Sequence, residues 1–175
     1  MVVAPYFILF GLALALLPGH NPRSVLAVRF RWPALLLGGF AAQVLLAAGT
    51  AFRWGRNPVL LELAFVPILF GLWANHKMAG VVPILTGALV NFLALLLYGG
   101  LMPVSSAAMR MAGLSVSTGA FLASSRHQFM RPSAFWWLGD WIPFFHFVLS
   151  PGDLLVGVGL VWFLHASSAK RGSHE

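Results

Sequence analysis

The chain has 175 residues, 59% of them hydrophobic and 9% charged, with a mean hydropathy of +0.86, values outside the range of soluble domains. A net charge of +7 would suit nucleic acid, but the 11 lysines and arginines are scattered between apolar blocks, so membrane lipids are the expected partners and nucleic acid is excluded. Cysteine is absent, which removes disulfides, thiolate metal sites and thioester chemistry.

The first apolar run, residues 2–18, lacks a basic leader and a small-residue cleavage site, so it reads as a retained span and not as a signal peptide. A polar turn, "HNPR", follows it. Further runs cover 33–52, 58–74, 80–101 and 151–166, and Asn57 before Pro58 reads as an N-cap followed by a first helical residue. Each run is continuous, apolar all round and of helical length. The sequence therefore predicts an all-α fold, a polytopic transmembrane helical bundle of about five spans forming a single integral membrane domain over 1–175. The short first loop carries Arg23, Arg29 and Arg31, which favours an N-terminus outside and a C-terminus inside.

Polar residues within the runs are few. Gln43 shares a helical face with Gly39 and Ala47, and Asn91 shares one with Gly87. Small residues allow close helix approach, so both amides read as interhelical hydrogen-bonding groups, with a place in a ligand cavity as the alternative. Glu62 lies about one turn into the third run, where the helix dipole favours a carboxylate.

The connection 102–150 is long for a loop and predicts an extracytoplasmic interfacial or re-entrant segment. Short surface helices are expected in its first part, with Met109, Met111 and Leu114 toward lipid and Arg110 toward water. Trp136, Trp137, Trp141, Phe144, Phe145 and Phe147 have the composition of an interfacial belt, and Asp140 and Pro143 argue against a complete span.

Only four carboxylate side chains occur; one of them, Asp140, lies within this belt and another, Asp153, shortly follows it. Ser150, Gly152 and Asp153 fit the N-cap, N2 and N3 positions of the last helix, which gives Asp153 a capping role with a ligand role as the alternative. Asp140 has no such local role. It reads either as a turn residue bonded near Gly139 or paired with Arg126 or Arg131, or as a headgroup contact acting with His127 and Arg126. Gly99 and Gly100 let the chain leave the fourth helix, and Met102 and Pro103 belong to the turn that follows. These motifs are expected to meet on one side, so the candidate ligand-binding residues are Asp140, His127, Arg126, Asn91 and Asp153. Gly99, Gly100, Met102, Pro103, Gly139, Ser150, Gly152 and Gln43 are the candidate structural residues.

No H-E-x-x-H, histidine pair at i,i+4, G-x-S-x-G or P-loop occurs, so no metal, cofactor or catalytic residue is assigned. The first functional expectation is a non-enzymatic module that binds a lipid headgroup or a partner protein, including another copy of itself, through the outer cap. A small transporter or channel subunit, and a lipid-modifying enzyme using Asp140 and Asp153 with His127 assisting, are the alternatives.

The motifs "FGLALALLPG", "GGFAAQVLL", "NHKMAG", "GALVNFLALLLYGGLMPVS", "WLGDWIP" and "SPGDLLVGVGL" occur in that order. In this the chain resembles a bacterial multi-span membrane family, domain of unknown function 5317, over nearly its whole length. It departs at Tyr98, where the family has asparagine, and at Pro151, where an aliphatic residue is commoner. The resemblance implies a bacterial inner-membrane protein with a polar cluster at one face, and implies no reaction.

Overall fold

A computed structural model describes residues 4–51, 58–114 and 127–169. The helices are α1 (Ala4–Leu14), α2 (Arg23–Leu26), α3 (Pro33–Ala51), α4 (Pro58–Leu63), α5 (Phe65–Ala74), α6 (Val81–Leu97), α7 (Ser106–Met111) and α8 (Pro151–Ser168). Between α6 and α8 lie strands β1 (Met102–Val104), β2 (His127–Phe129), β3 (Ile142–Phe144) and β4 (Phe147–Leu149), with a 3₁₀ turn at Trp136–Leu138.

This corrects the expected all-α bundle of about five transmembrane spans. The fold mixes helices with small sheets, and no helix among the described residues is long and apolar enough to cross a membrane. Four of the five apolar runs are longer than any helix they contain, and the fifth, 151–166, lies within α8. The third run breaks at Ala64, between α4 and α5, because Pro67 has no N–H for the carbonyl of Leu63 and its ring crowds that carbonyl. The fourth ends at Leu97. There Gly99 and Gly100 adopt positive φ, and the Gly100 N–H donates back to the Leu95 carbonyl at 2.8 Å, closing the helix. The longest helix, α3, has 19 residues and reaches about 29 Å, with Gln43 at its middle.

The connection 102–150 is corrected as well. Instead of a re-entrant segment it carries two two-stranded sheets: β1 and β2 are parallel, with Met102 opposite His127, and β3 and β4 form an antiparallel hairpin. Pro103, expected in a turn, lies in β1, and Pro143 lies in β3. A two-stranded sheet has only edge strands, which accept proline where its missing N–H faces away from the ladder. Met109 is corrected from lipid-facing to buried: with Val104, Ala108, Ala112 and Val148 it forms the core of the cap, against which Leu114 packs. Burying such a side chain contributes about 1.5–3 kcal/mol. Met111 does face outward.

Helix α8 packs against α1 and α6, α3 packs against α5, and α5 against α6. Their core contains Leu36, Ile68, Leu72, Val81 and Ala88. At the end away from the cap, His20 bridges to Ala169, and the buried Asn75 side chain clamps Arg31, accepting from its N–H and donating to its carbonyl at 2.8 Å each. Arg23, Arg29, Arg31 and Lys77 therefore cluster at that end, whereas Asp140 and Asp153 belong to the cap end.

Candidate functional site

The start of α8 is fixed by a closed ring of side-chain hydrogen bonds. Ser150 Oγ accepts from the Asp153 N–H at 3.0 Å, and the Asp153 carboxylate accepts from the Ser150 N–H at 3.1 Å, forming a capping box. Asn91 of α6 completes it: its amide N–H donates to Asp153 Oδ1 at 2.9 Å, and its carbonyl oxygen accepts from Ser150 Oγ at 2.8 Å. Both oxygens of Asp153 are thus engaged. Close approach makes this contact possible, since a Cβ on Gly152 would collide with the Asn91 amide and one on Gly87 with the Gly152 carbonyl. Gln43 acts similarly elsewhere, donating to the Leu61 carbonyl of α4 at 2.8 Å.

Asp140 is held by its main chain. Its N–H donates to the Pro103 carbonyl and its own carbonyl accepts from the Ser105 N–H, both at 2.8 Å, while the Trp141 N–H donates to the Leu149 carbonyl. Gly139 has ordinary extended backbone, yet a Cβ there would strike the Pro103 carbonyl, so glycine is required by contact. The "GGLMPV", "LGDWIP" and "SPGD" motifs thus lie together at one end of the helices.

These constraints place Asp140, His127, Asn91 and Asp153 around one cavity of about 200 Å³, lined also by Phe65, Leu95 and Met102. His127 Nε2 lies 3.3 Å from Asp140 Oδ2. Asp140 is 5% exposed, and its Oδ1 is buried with no hydrogen-bond partner among the described residues. Burial raises the Asp140 pKa above the ordinary carboxylate value; the His127 hydrogen bond opposes this and the Asp153 charge adds to it. Among the described residues the ion-pair partner of Asp140 is His127 and not Arg131, and Arg126 lies outside those residues. No group of three metal-ligating side chains forms among the described residues.

Phe65 and Leu95 carried no sequence signal as cavity residues, since apolar helix residues look alike whether they line a cavity or fill a core. Gln128 has no local sequence signal either: its amide donates to the Tyr98 and Leu101 carbonyls, tying β2 to the end of α6.

The sequence profile of a family of unknown function (DUF5317) matches residues 27–165. No curated protein and no solved structure matches the chain.

Proposed function

The chain belongs to this family of unknown function, whose matched region includes every residue lining the cavity, and we propose that it is a non-enzymatic, membrane-associated module that binds a lipid headgroup there. The observation that carries the reading is the unpartnered buried oxygen of Asp140 at a polar cavity. A buried carboxylate oxygen without a donor is costly, and a bound ligand that donates to it removes that cost.

The outer surface supports a lipid setting. Leu16, Leu37 and Leu45 are 74%, 70% and 71% exposed, and large apolar side chains face outward on every long helix. So many exposed large apolar side chains suit an apolar neighbour. Trp136, Trp137 and Trp141 are exposed beside Asp140 in the chain, and a tryptophan ring with a polar edge suits headgroup depth. The basic end with Arg23, Arg29, Arg31 and Lys77 suits an anionic membrane surface.

A second reading, a lipid-modifying enzyme, is favoured by one observation: His127 and Asp140 are within hydrogen-bond reach inside a cavity, an arrangement able to move a proton.

The test is native mass spectrometry of the protein extracted gently from its own membrane, wild type against Asp140→Asn. A discrete co-purifying lipid lost in the variant is the expected result. Wild type and variant both bare and equally folded would contradict the reading, and a lipid released as a chemically altered product would favour the enzyme.

A further inference from the structure

The cavity does not stand alone. Along the contact of α5 and α6 runs an apolar groove of about 480 Å³, whose lining includes Val66, Leu69 and Trp73 from α5 and Leu85, Leu89 and Phe92 from α6. On α5 these residues recur at i, i+3 and i+7, and on α6 at i, i+4 and i+7, so each helix presents one continuous stripe. The groove and the polar cavity adjoin. Phe65 lines the cavity and Val66 the groove, Asn91 lines the cavity and Phe92 the groove, and the Phe65 and Phe92 rings pack at 5.9 Å between centroids. From Val66 to Trp73 the groove follows α5 for about 10 Å.

The polar cavity has a definite charge character. Asp140 and Asp153 line it, and neither lysine nor arginine does so among the described residues. Even with His127 protonated, two ionised carboxylates leave a net charge of −1. A phosphate or sulfate placed there would face the Asp140 and Asp153 oxygens, whereas an ammonium group would donate to the unpartnered Asp140 Oδ1 and lie near the Phe65 ring.

We infer that the ligand is a lipid with a primary-amine headgroup, its ammonium donating to Asp140 Oδ1 near the negative charge of Asp153 and one acyl chain laid in the α5–α6 groove. This rests on the headgroup-binding reading above and adds the ligand's chemical class and the path of its chain. The adjoining groove selects a lipid over a free amine, because a water-soluble amine would leave that groove unused. The Phe65–Phe92 pair marks the point where head becomes tail.

The test uses the full-length protein in detergent with short-chain phosphatidylethanolamine, its N-acetylated derivative, short-chain phosphatidylglycerol and free ethanolamine as probes, bound complexes being read by native mass spectrometry. Phosphatidylethanolamine should bind at least tenfold more tightly than the N-acetylated lipid, and Asp140→Asn should abolish that preference. Leu89→Lys, at an exposed groove position, should weaken the lipid without altering the fold seen by circular dichroism. It serves as the second variant if Asp140→Asn folds poorly.

Equal binding of the N-acetylated lipid would overturn the amine class, and free ethanolamine binding as tightly as the lipid would overturn the groove. Tightest binding of phosphatidylglycerol, lost in Asp140→Asn, would overturn the amine class while leaving the headgroup reading intact. Binding of every lipid unaffected by Asp140→Asn would overturn both.

Discussion

His127 Nε2 lies 3.3 Å from Asp140 Oδ2, while the second oxygen of the same carboxylate is buried and has no partner among the described residues. This half-satisfied pair occurs beside a ring of fully satisfied ones, since Asn91, Ser150 and Asp153 use their donors and acceptors on one another. The contrast separates support from site. Asp153 is held as part of the helix cap, and Asp140 is the group left to meet something else.

The raised pKa of Asp140 fixes a pH dependence. Between the ordinary value of 3.8 and the raised one, the folded chain holds a proton that the unfolded chain has lost. Stability therefore falls as pH rises through that interval, and the cost of the buried charge is absent below 3.8. His127 and Asp153 also face the carboxyl group. In detergent without added lipid, Asp140→Asn should melt at a higher temperature than wild type at pH 8, with the difference shrinking toward pH 4. A difference that does not change with pH would show that Asp140 is not the group responsible.

Asn91→Leu should be strongly destabilising. It leaves the buried Ser150 hydroxyl and one oxygen of Asp153 without their partner, at about 1–3 kcal/mol for each unsatisfied group. Asn91→Asp should be no better, because it sets a third carboxylate against Asp153. Thermal unfolding followed by circular dichroism would reveal either effect, and a melting temperature unchanged in Asn91→Leu would remove the ring from the account.

Two glycine substitutions should differ in kind. At Gly99, with φ of +63° and nothing within 4 Å of where a Cβ would lie, alanine meets only backbone strain, about 1–2 kcal/mol. At Gly152 the added carbon meets the Asn91 amide, so alanine must push α6 and α8 apart, about 1–3 kcal/mol with loss of the ring besides. Gly152→Ala should therefore abolish ligand retention while Gly99→Ala preserves it, as read by the lipid mass that remains bound.

Ser150→Ala removes the N-cap acceptor of α8 and should cost about 0.5–2 kcal/mol. The loss should be local. Amide exchange should accelerate in the first turn of α8 and not in α3, and equal acceleration in both would contradict the capping assignment.

What the sequence made legible was chemistry with local spacing. The serine, proline and aspartate at the start of α8 form the capping box that their order predicts, and Asn91 bonds across to α8 as a polar residue near Gly87 should. Helix length was not legible. A hydropathy run continues through Ala64, but the backbone does not, because Pro67 acts one turn back from its own position. The strands were hidden because three residues are too few to show alternation, and because Pro103 and Pro143 argue against strands in any sheet with an interior. His127 came to Asp140 through the β1–β2 pairing, a long-range contact that no local pattern encodes.

The most direct measurement is ¹³C NMR of aspartate side-chain carboxyls in the detergent-solubilised protein, titrated with short-chain phosphatidylethanolamine, with Asp140→Asn used to assign its signal. The Asp140 carboxyl resonance should move and saturate with the lipid, with its pKa falling as the ammonium pairs with it. Saturating lipid binding that leaves the Asp140 resonance in place would contradict the claim that this cavity is where the headgroup sits.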